Sequence, residues 1–343
     1  MVAENGANHQ LCPEALLAMR AVAEAVDLTR VVEQDVAAGT LAKSDASPVT
    51  VADFSVQALI AARLGRDRPS DPLVAEEDAS ALRNAPDLSD RVVDFVRQAA
   101  PALQPDQVLN WIDRGRGNPG RRFWTLDPID GTKGLLRGGQ YVVALALIED
   151  GVVRIGVLGC PRLSLAHDAE MGGQSDLRGE GGLAVAVRGR GAWWSARSDG
   201  SLTRLSVSQL SNPKRARVLH SFETPHSDVE RFRQVVEALN MERSPWLMDS
   251  QAKHAVIASG AAEVLLRFPP QPGFHDAIWD QAAGSLLIEE AGGRVTDLMG
   301  HALDFSAGRY LSRNEGLVAT NGVVHDAVLN VVQHRHTNGQ NHG

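Results

Sequence analysis

Cysteine is nearly absent from this chain: Cys12 and Cys160 are the only two in 343 residues, and no C-x-x-C pair occurs. A disulfide framework and a cysteine zinc site are therefore not expected, and both thiols read as ordinary reduced side chains. Long apolar runs are missing as well. Residues 1–10 are polar and lack the apolar core of a signal peptide. No run approaches the roughly 18 apolar residues that a membrane span needs, and residues 141–148 read instead as a buried strand. A basic excess is missing too: 34 Lys and Arg against 42 Asp and Glu leave a net charge of −8. That balance argues against broad nucleic-acid binding, which needs a basic surface. A small anionic substrate remains compatible, because a few local cations or metal ions can reverse the field inside one cleft. No short-period repeat is present. The expectation is a cytoplasmic protein with neither a nucleic-acid nor a membrane partner.

The remaining composition, 43% hydrophobic and 22% charged, is that of a globular chain able to bury a sizeable core. Pro13 opens a helical pattern that runs to about residue 38 and stops at Gly39. A second helix is expected from Thr50, as N-cap, to about Gly65, with Asp53 in its first turn. Residues 73–75 form a short strand ending in Glu76-Glu77-Asp78. Helices are expected over 89–100 and 106–112, a loop over 114–122, and a strand over 123–126 that stops at Asp127-Pro128 because proline cannot continue a central ladder. Apolar runs at 141–149 and 152–159, joined by Asp150-Gly151, read as a hairpin. A polar excursion covers 162–182, and a further hairpin pairs 183–187 with 192–194. After about Leu205 the pattern changes to strands alternating with helices: strands at 216–220, 262–268, 294–297 and 317–320, helices at 227–240, 250–259, 276–291 and 323–333. Residues 334–343 read as a polar tail without structure.

The densest chemical signal is Asp127-Pro128-Ile129-Asp130-Gly131-Thr132-Lys133-Gly134. Two carboxylates flanking a tight turn repel each other unless a cation lies between them. Oxygen ligands at a strand end suit Mg²⁺, and backbone N–H groups at Gly131 and Thr132 can hold phosphate oxygens. Alone, D-x-x-D-G also describes a turn whose aspartates cap a helix. Glu76-Glu77 alone reads as a solvated pair, and Asp53 and Asp280 as acids in helix first turns. Their joint order decides between these readings. Ser47-Pro48-Val49-Thr50-Val51-Ala52-Asp53, Val74-Ala75-Glu76-Glu77-Asp78, the central motif and Ile278-Trp279-Asp280-Gln281-Ala282-Ala283-Gly284 occur in sequence. Together they resemble the metal motifs of the inositol monophosphatase superfamily.

Within it, Lys133 after Thr132, Arg137-Gly138-Gly139-Gln140-Tyr141, the Ser221/Glu223/His226/Ser227 pattern and Asp249-Ser250-x-x-Lys253 resemble the 3′(2′),5′-bisphosphate nucleotidase branch. Leu135 and Glu263 depart from that branch's usual Phe and Asp, without loss of a ligand. The resemblance implies a layered αβαβα sandwich, an α/β fold with an α+β first half. Residues 11–205 would carry most metal ligands, and residues 206–335 the nucleotide-binding residues and Asp280. Residues 1–10 and 336–343 would be disordered, and the protein a monomer. Glu76, Asp127, Asp130 and Asp280, with the Ile129 carbonyl, would hold two Mg²⁺ ions, or three if a looser one is added. Asp53 and Thr132 would position and deprotonate the attacking water, and Glu77 would orient Glu76 or a bound water. Gly131, Thr132, His226, Ser250, Lys253, Arg267 and Asp280 would contact the substrate, with Lys253 and Arg267 on the phosphate that is not cleaved. The implied reaction is hydrolysis of 3′-phosphoadenosine 5′-phosphate, and of its sulfated form, with sensitivity to Li⁺. Two alternatives stay open: a phosphatase of the same fold acting on inositol phosphates or a sugar bisphosphate, and an inactive nucleotide-binding sensor.

Overall fold

The computed structural model describes residues 11–37, 48–165, 179–197, 200–222 and 228–340. Strands rich in Val, Ile, Leu and Ala assemble into two sheets, and each sheet is built from one stretch of chain. The first contains β1 (Leu73–Ala75), β2 (Arg122–Asp130), β3 (Val142–Glu149), β4 (Val152–Cys160), β5 (Gly182–Val187), β6 (Gly191–Ala196) and β7 (Leu202–Arg204), hydrogen-bonded in that order. Only β1–β2 is parallel; every later pair is antiparallel. The second sheet has the order β11 (Arg294–Thr296), β12 (Leu317–Thr320), β10 (Val264–Arg267), β8 (Val218–His220) and β9 (Trp246–Leu247).

Helices fill the spaces that these sheets leave. The long helices α1 (Pro13–Ala37) and α2 (Pro48–Asp67) cover one face of the first sheet. The short α3 (Ser80–Arg83), with α4 (Pro86–Ala99) and α5 (Pro105–Asp113), packs at their side, and α6 (Thr132–Arg137) follows β2. Between the two sheets lie α8 (Ala252–Ala258), buried along its whole length, and α9 (Ala282–Glu290), buried from Ala282 to Ile288. A helix buried on every side is sandwiched between layers. The outer face of the second sheet carries α7 (Val229–Ala238) and α10 (His325–Gln340). The result is the expected α/β sandwich of five layers, α–β–α–β–α. Apolar side chains form a core between α1, α2 and the first sheet, another around α8 and α9, and a third under α7 and α10. Among the described residues, no helix is long and apolar enough to cross a membrane.

Several expected elements differ from those observed. The second helix starts at Pro48, so Thr50 lies inside it and Asp53 in its second turn; proline is itself well suited to a first helical position. β2 does not stop at Asp127 but runs to Asp130. The pairing steps from Asp127↔Ala144 to Asp130↔Val142, so β2 carries one more residue than β3. Pro128 sits in that bulge, where no ladder N–H is required. The single helix expected over 276–291 is divided at Gln281 (φ −128°, ψ −29°) into a 3₁₀ turn, Ile278–Asp280, and α9. Ser250 is not helical: its φ is +67°, and α8 begins at Ala252. The C-terminal tail is helical as far as Gln340, because polar residues extend an established helix at little cost. α3, β7 and β9 were not anticipated. Residues 1–10, 341–343 and the middle of the 162–182 excursion lie outside the described residues.

Candidate active site

Parallel pairing of β1 with β2 creates the acidic end of the site. Ala75 lies opposite Leu126, so the next residue of each strand, Glu76 and Asp127, emerges at the same carboxyl end. The bulge then turns the chain so that Asp130 follows at the strand end. Gly131 comes next with φ +91°, a left-handed conformation that a Cβ would strain, and a Cβ there would also lie 2.8 Å from that of Ser250. This close approach joins the central motif to the Asp249-Ser250 segment of the second half. The backbone N–H of Gln251 donates to Asp130 Oδ2 at 2.6 Å. The Gln251 side chain then ties the Asp280 turn in place: Nε2 donates to the Trp279 carbonyl at 3.0 Å, and Oε1 accepts from Gly284 N–H at 3.1 Å.

A cavity of about 480 Å³ opens at this junction. Its walls include Glu76, Asp127, Ile129, Asp130, Gly131, Thr132, Ser250, Lys253, Arg267 and Asp280, so the structure brings ten of the expected residues to one cleft. Asp53 and Glu77 are not on its wall. Asp53 is close enough to Glu77 and Glu76 to feel both charges. The Thr132 hydroxyl donates to the Ile129 carbonyl at 3.3 Å rather than to Asp53. His226 and Glu223 lie outside the described residues.

The carboxylates crowd one another. Burial, and then the charges of Glu76, Asp130, Asp280 and Asp53, push Asp127 well above the ordinary carboxylate range. Burial first, then Glu77 and Glu76, does the same to Asp53. Asp280 is pushed up to about 8 by burial, against the opposing pull of Arg267, with Asp276, Asp130 and Glu76 adding to the rise. Burial also raises Asp130, with Lys253 and the Gln251 N–H opposing it. Glu77 is raised to about 7 by burial and then by Glu76 and Asp78. Glu76 moves upward through burial, a hydrogen bond with Asp127 opposing it. Its side chain is nevertheless exposed to the cleft, so solvent tempers that shift, whereas Asp127 at 3% exposure has no such relief.

The cations Lys253 and Arg267 share this wall with the acids. Lys253, 7% exposed, is drawn down to about 8 by burial, with Asp130 and Asp249 resisting. Its Nζ donates to the Met248 carbonyl at 3.0 Å and to Ser221 Oγ at 3.2 Å. Burial works against the Arg267 charge, but Asp276 and Asp280 outweigh it and hold the guanidinium firmly protonated; Nε donates to Asp276 Oδ1 at 2.8 Å.

An all-oxygen, mutually repelling donor set fits a hard divalent cation. The buried Oδ1 of Asp127, which has no hydrogen-bond partner in the protein, points the same way. Among the described residues, no three acidic, histidine or cysteine side chains are already drawn around a single point as a ready-made metal cage. The acids share the cleft without closing on one centre.

From residue 9 to residue 337 the sequence matches the model of the inositol monophosphatase family. The chain belongs to the inositol monophosphatase family. A rice (Oryza sativa) member named 3′(2′),5′-bisphosphate nucleotidase is 38% identical over 342 residues, with 95% of each chain covered. A protein of the same name from Emericella nidulans is 37% identical, covering 93% of this chain and 97% of its own. Among solved structures, Mycobacterium tuberculosis SuhB superposes with a TM-score of 0.61 at 20% identity, covering 94% of this chain and 96% of its own. CysQ from Bacteroides thetaiotaomicron, a bacterial member of the inositol monophosphatase family, gives 0.61 at 18% identity, with 90% and 97% covered. These last two speak to the family fold alone.

Sequence reasoning missed several groups in and around this family's cleft. Gln251 carried no motif signal of its own. His220 and His254 line the cavity, and burial holds both below the ordinary histidine range, His254 at about 3. Gln57 lies one helical turn after Asp53, on a helix that also carries Ser55, Arg63 and Arg66, and no motif singles it out. Fully buried, it accepts from Glu77 N–H at 3.0 Å and donates to the Glu77 and Ile112 carbonyls at 2.6 and 2.8 Å.

Proposed function

We propose that this chain is a 3′(2′),5′-bisphosphate nucleotidase that hydrolyses 3′-phosphoadenosine 5′-phosphate to AMP and phosphate, and acts likewise on the sulfated form. The carrying observation is a single cleft whose wall carries the carboxylates Glu76, Asp127, Asp130 and Asp280 together with the cations Lys253, buried, and Arg267, half-buried. A substrate with two phosphates would use both sets: one phosphate where divalent cations bind, the other on fixed positive charge. The names and near-complete coverage of the rice and Emericella relatives support the same reading.

Glu76, Asp127, Asp130, Asp280 and the Ile129 carbonyl would hold two Mg²⁺ ions, or three with a looser one. Bound there, the ions would supply charge neutralisation for the transferring phosphoryl group and activation of water. Asp53, whose proton affinity is raised by burial, would in its ionised form take up the proton of the attacking water through the Thr132 hydroxyl. That path requires Thr132 to exchange its bond to the Ile129 carbonyl for one to water. Glu77, fixed by Gln57, would hold Glu76 in orientation. Gly131 and Ser250, packed against each other, would present backbone and hydroxyl donors to phosphate. Arg267, braced on Asp276, and Lys253, braced on Met248 and Ser221, would grip the phosphate that stays. His226 would contact the nucleotide.

The test is kcat/KM for 3′-phosphoadenosine 5′-phosphate, its sulfated form, inositol 1,4-bisphosphate and inositol 1-phosphate. The nucleotides should lead by at least tenfold. Preference for inositol 1-phosphate would remove the role given to Lys253 and Arg267, and failure to release phosphate from any of them would end the enzymatic reading.

A further inference from the structure

Arg309 entered none of the motifs above, yet it touches both halves of the acidic site. It lies in the loop before β12 and is half-buried. Its carbonyl accepts from Ile278 N–H at 3.0 Å; Leu311 N–H donates to the Asp276 carbonyl at 2.9 Å, and Tyr310 bridges to Ala277 in antiparallel fashion. This short ladder fixes the segment that continues directly into Trp279 and Asp280.

The side chain reaches the other way. Nη2 donates to the Ala75 carbonyl at 2.5 Å, the residue immediately before Glu76. Nη1 lies 3.4 Å from the carbonyls of Gly115 and Gly117. That loop flanks β1 on the side away from β2: Ala75 N–H donates to Gly115, and Gly117 N–H to Leu73. The guanidinium carbon stands 5.0 Å from the centre of the Trp279 ring, within reach of a cation–π contact. One planar fork therefore fastens the carboxyl end of β1 while its charged carbon stands over the ring of the residue before Asp280.

We propose that Arg309 is a positioning residue that sets the spacing of Glu76 and Asp280 across the cleft. The inference rests on the reading above, in which both carboxylates hold divalent cations. The physical need is plain. Glu76 and Asp280 come from different layers of the fold, and their negative charges repel. β1 is only three residues long, so its own ladder restrains Glu76 weakly. A cationic clamp that bonds the backbone before one acid and packs on the residue before the other opposes their separation. Lysine cannot reproduce it, because a point charge on a flexible stem lacks the fork and the flat face.

The experiment compares the full-length native chain with Arg309→Gln, Arg309→Lys and Glu76→Gln. Mn²⁺ binding is measured directly by electron paramagnetic resonance, and melting is followed in EDTA. Outer partners of metal ligands typically account for about 10–100-fold in affinity. Arg309→Gln should weaken Mn²⁺ by a factor in that range and Arg309→Lys by less, and both should still melt cooperatively. At saturating Mg²⁺, the KM for substrate should stay within about threefold of native. Native Mn²⁺ affinity in Arg309→Gln, whatever its melting temperature, would overturn the proposal and leave the arginine a structural brace. Should that variant not fold, native affinity in Arg309→Lys overturns it equally. Undiminished Mn²⁺ binding by Glu76→Gln is the separate signature that the metal reading itself has failed.

Discussion

Replacing Lys253 with methionine should move affinity and stability in opposite directions. The ammonium is 7% exposed, and burial lowers its pKa to about 8 from the ordinary 10.5. At neutral pH the folded chain therefore carries a charge that it holds about 3 kcal/mol less favourably than the unfolded chain does. Methionine removes that cost and keeps most of the side-chain volume. It also removes the bonds to Met248 O and Ser221 Oγ, worth about 1 kcal/mol each. The variant should thus range from equally stable to about 2 kcal/mol more stable at pH 7. Because the folded pKa is depressed, the native protein should gain on it as pH rises from about 8 toward 10.5, where the unfolded chain still holds the proton. Affinity should fall: a charge-assisted bond to phosphate is worth about 1.5–3 kcal/mol, or roughly 10–150-fold. AMP retains the uncleaved phosphate and so reports this contact as a product inhibitor, whereas inorganic phosphate reports the acidic end. Inhibition by AMP should weaken by that factor and inhibition by phosphate should not. Native-like inhibition by AMP, or a clearly lowered melting temperature, would refute the reasoning.

Gly156→Ala places a Cβ 2.7 Å from the Ala283 carbonyl oxygen where β4 meets α9, so denaturant unfolding should show a loss of about 1–3 kcal/mol or more. His254 is buried neutral, at about 3. Its contribution is complete above the unfolded value near 6.5 and is lost as pH falls toward 3, so His254→Leu should unfold at lower pH than native, gaining on it by about 5 kcal/mol across that window. Thr132→Ala should lower kcat about 10²–10⁴-fold with AMP inhibition unchanged, and Thr132→Ser should recover most of it.

The acids of the site were legible because each ends or follows a strand or turn that apolar patterning marks. Glu76 after Leu73–Ala75 and Asp127 after the Phe123–Leu126 run within β2 needed only parallel pairing to meet. What was not legible depended on tertiary contact. A bulge carries β2 past Pro128. Left-handed backbone at Ser250 delays α8 and presents the Gln251 N–H to Asp130. The break at Gln281 arises where Asp280 must face the cleft, and local helix propensity cannot foresee it. Arg309 and Gln57 bond to backbone carbonyls far away in sequence, a role that no spacing rule encodes. β9, two residues long, is held by its pairing with β8 and by Trp246, which is buried in the core with the Arg217 guanidinium 3.6 Å from its ring centre.

Phosphate release from 3′-phosphoadenosine 5′-phosphate, followed during Mg²⁺ titration of the EDTA-treated native chain and of Asp130→Asn, bears most directly on the acidic cleft as the centre of the chemistry. The account predicts no turnover without the divalent ion, saturable recovery as Mg²⁺ is added, and at least a 100-fold loss in Asp130→Asn, whose carboxylate is held by Gln251 N–H in the native cleft. Full turnover in EDTA, or a near-native Asp130→Asn, would contradict it.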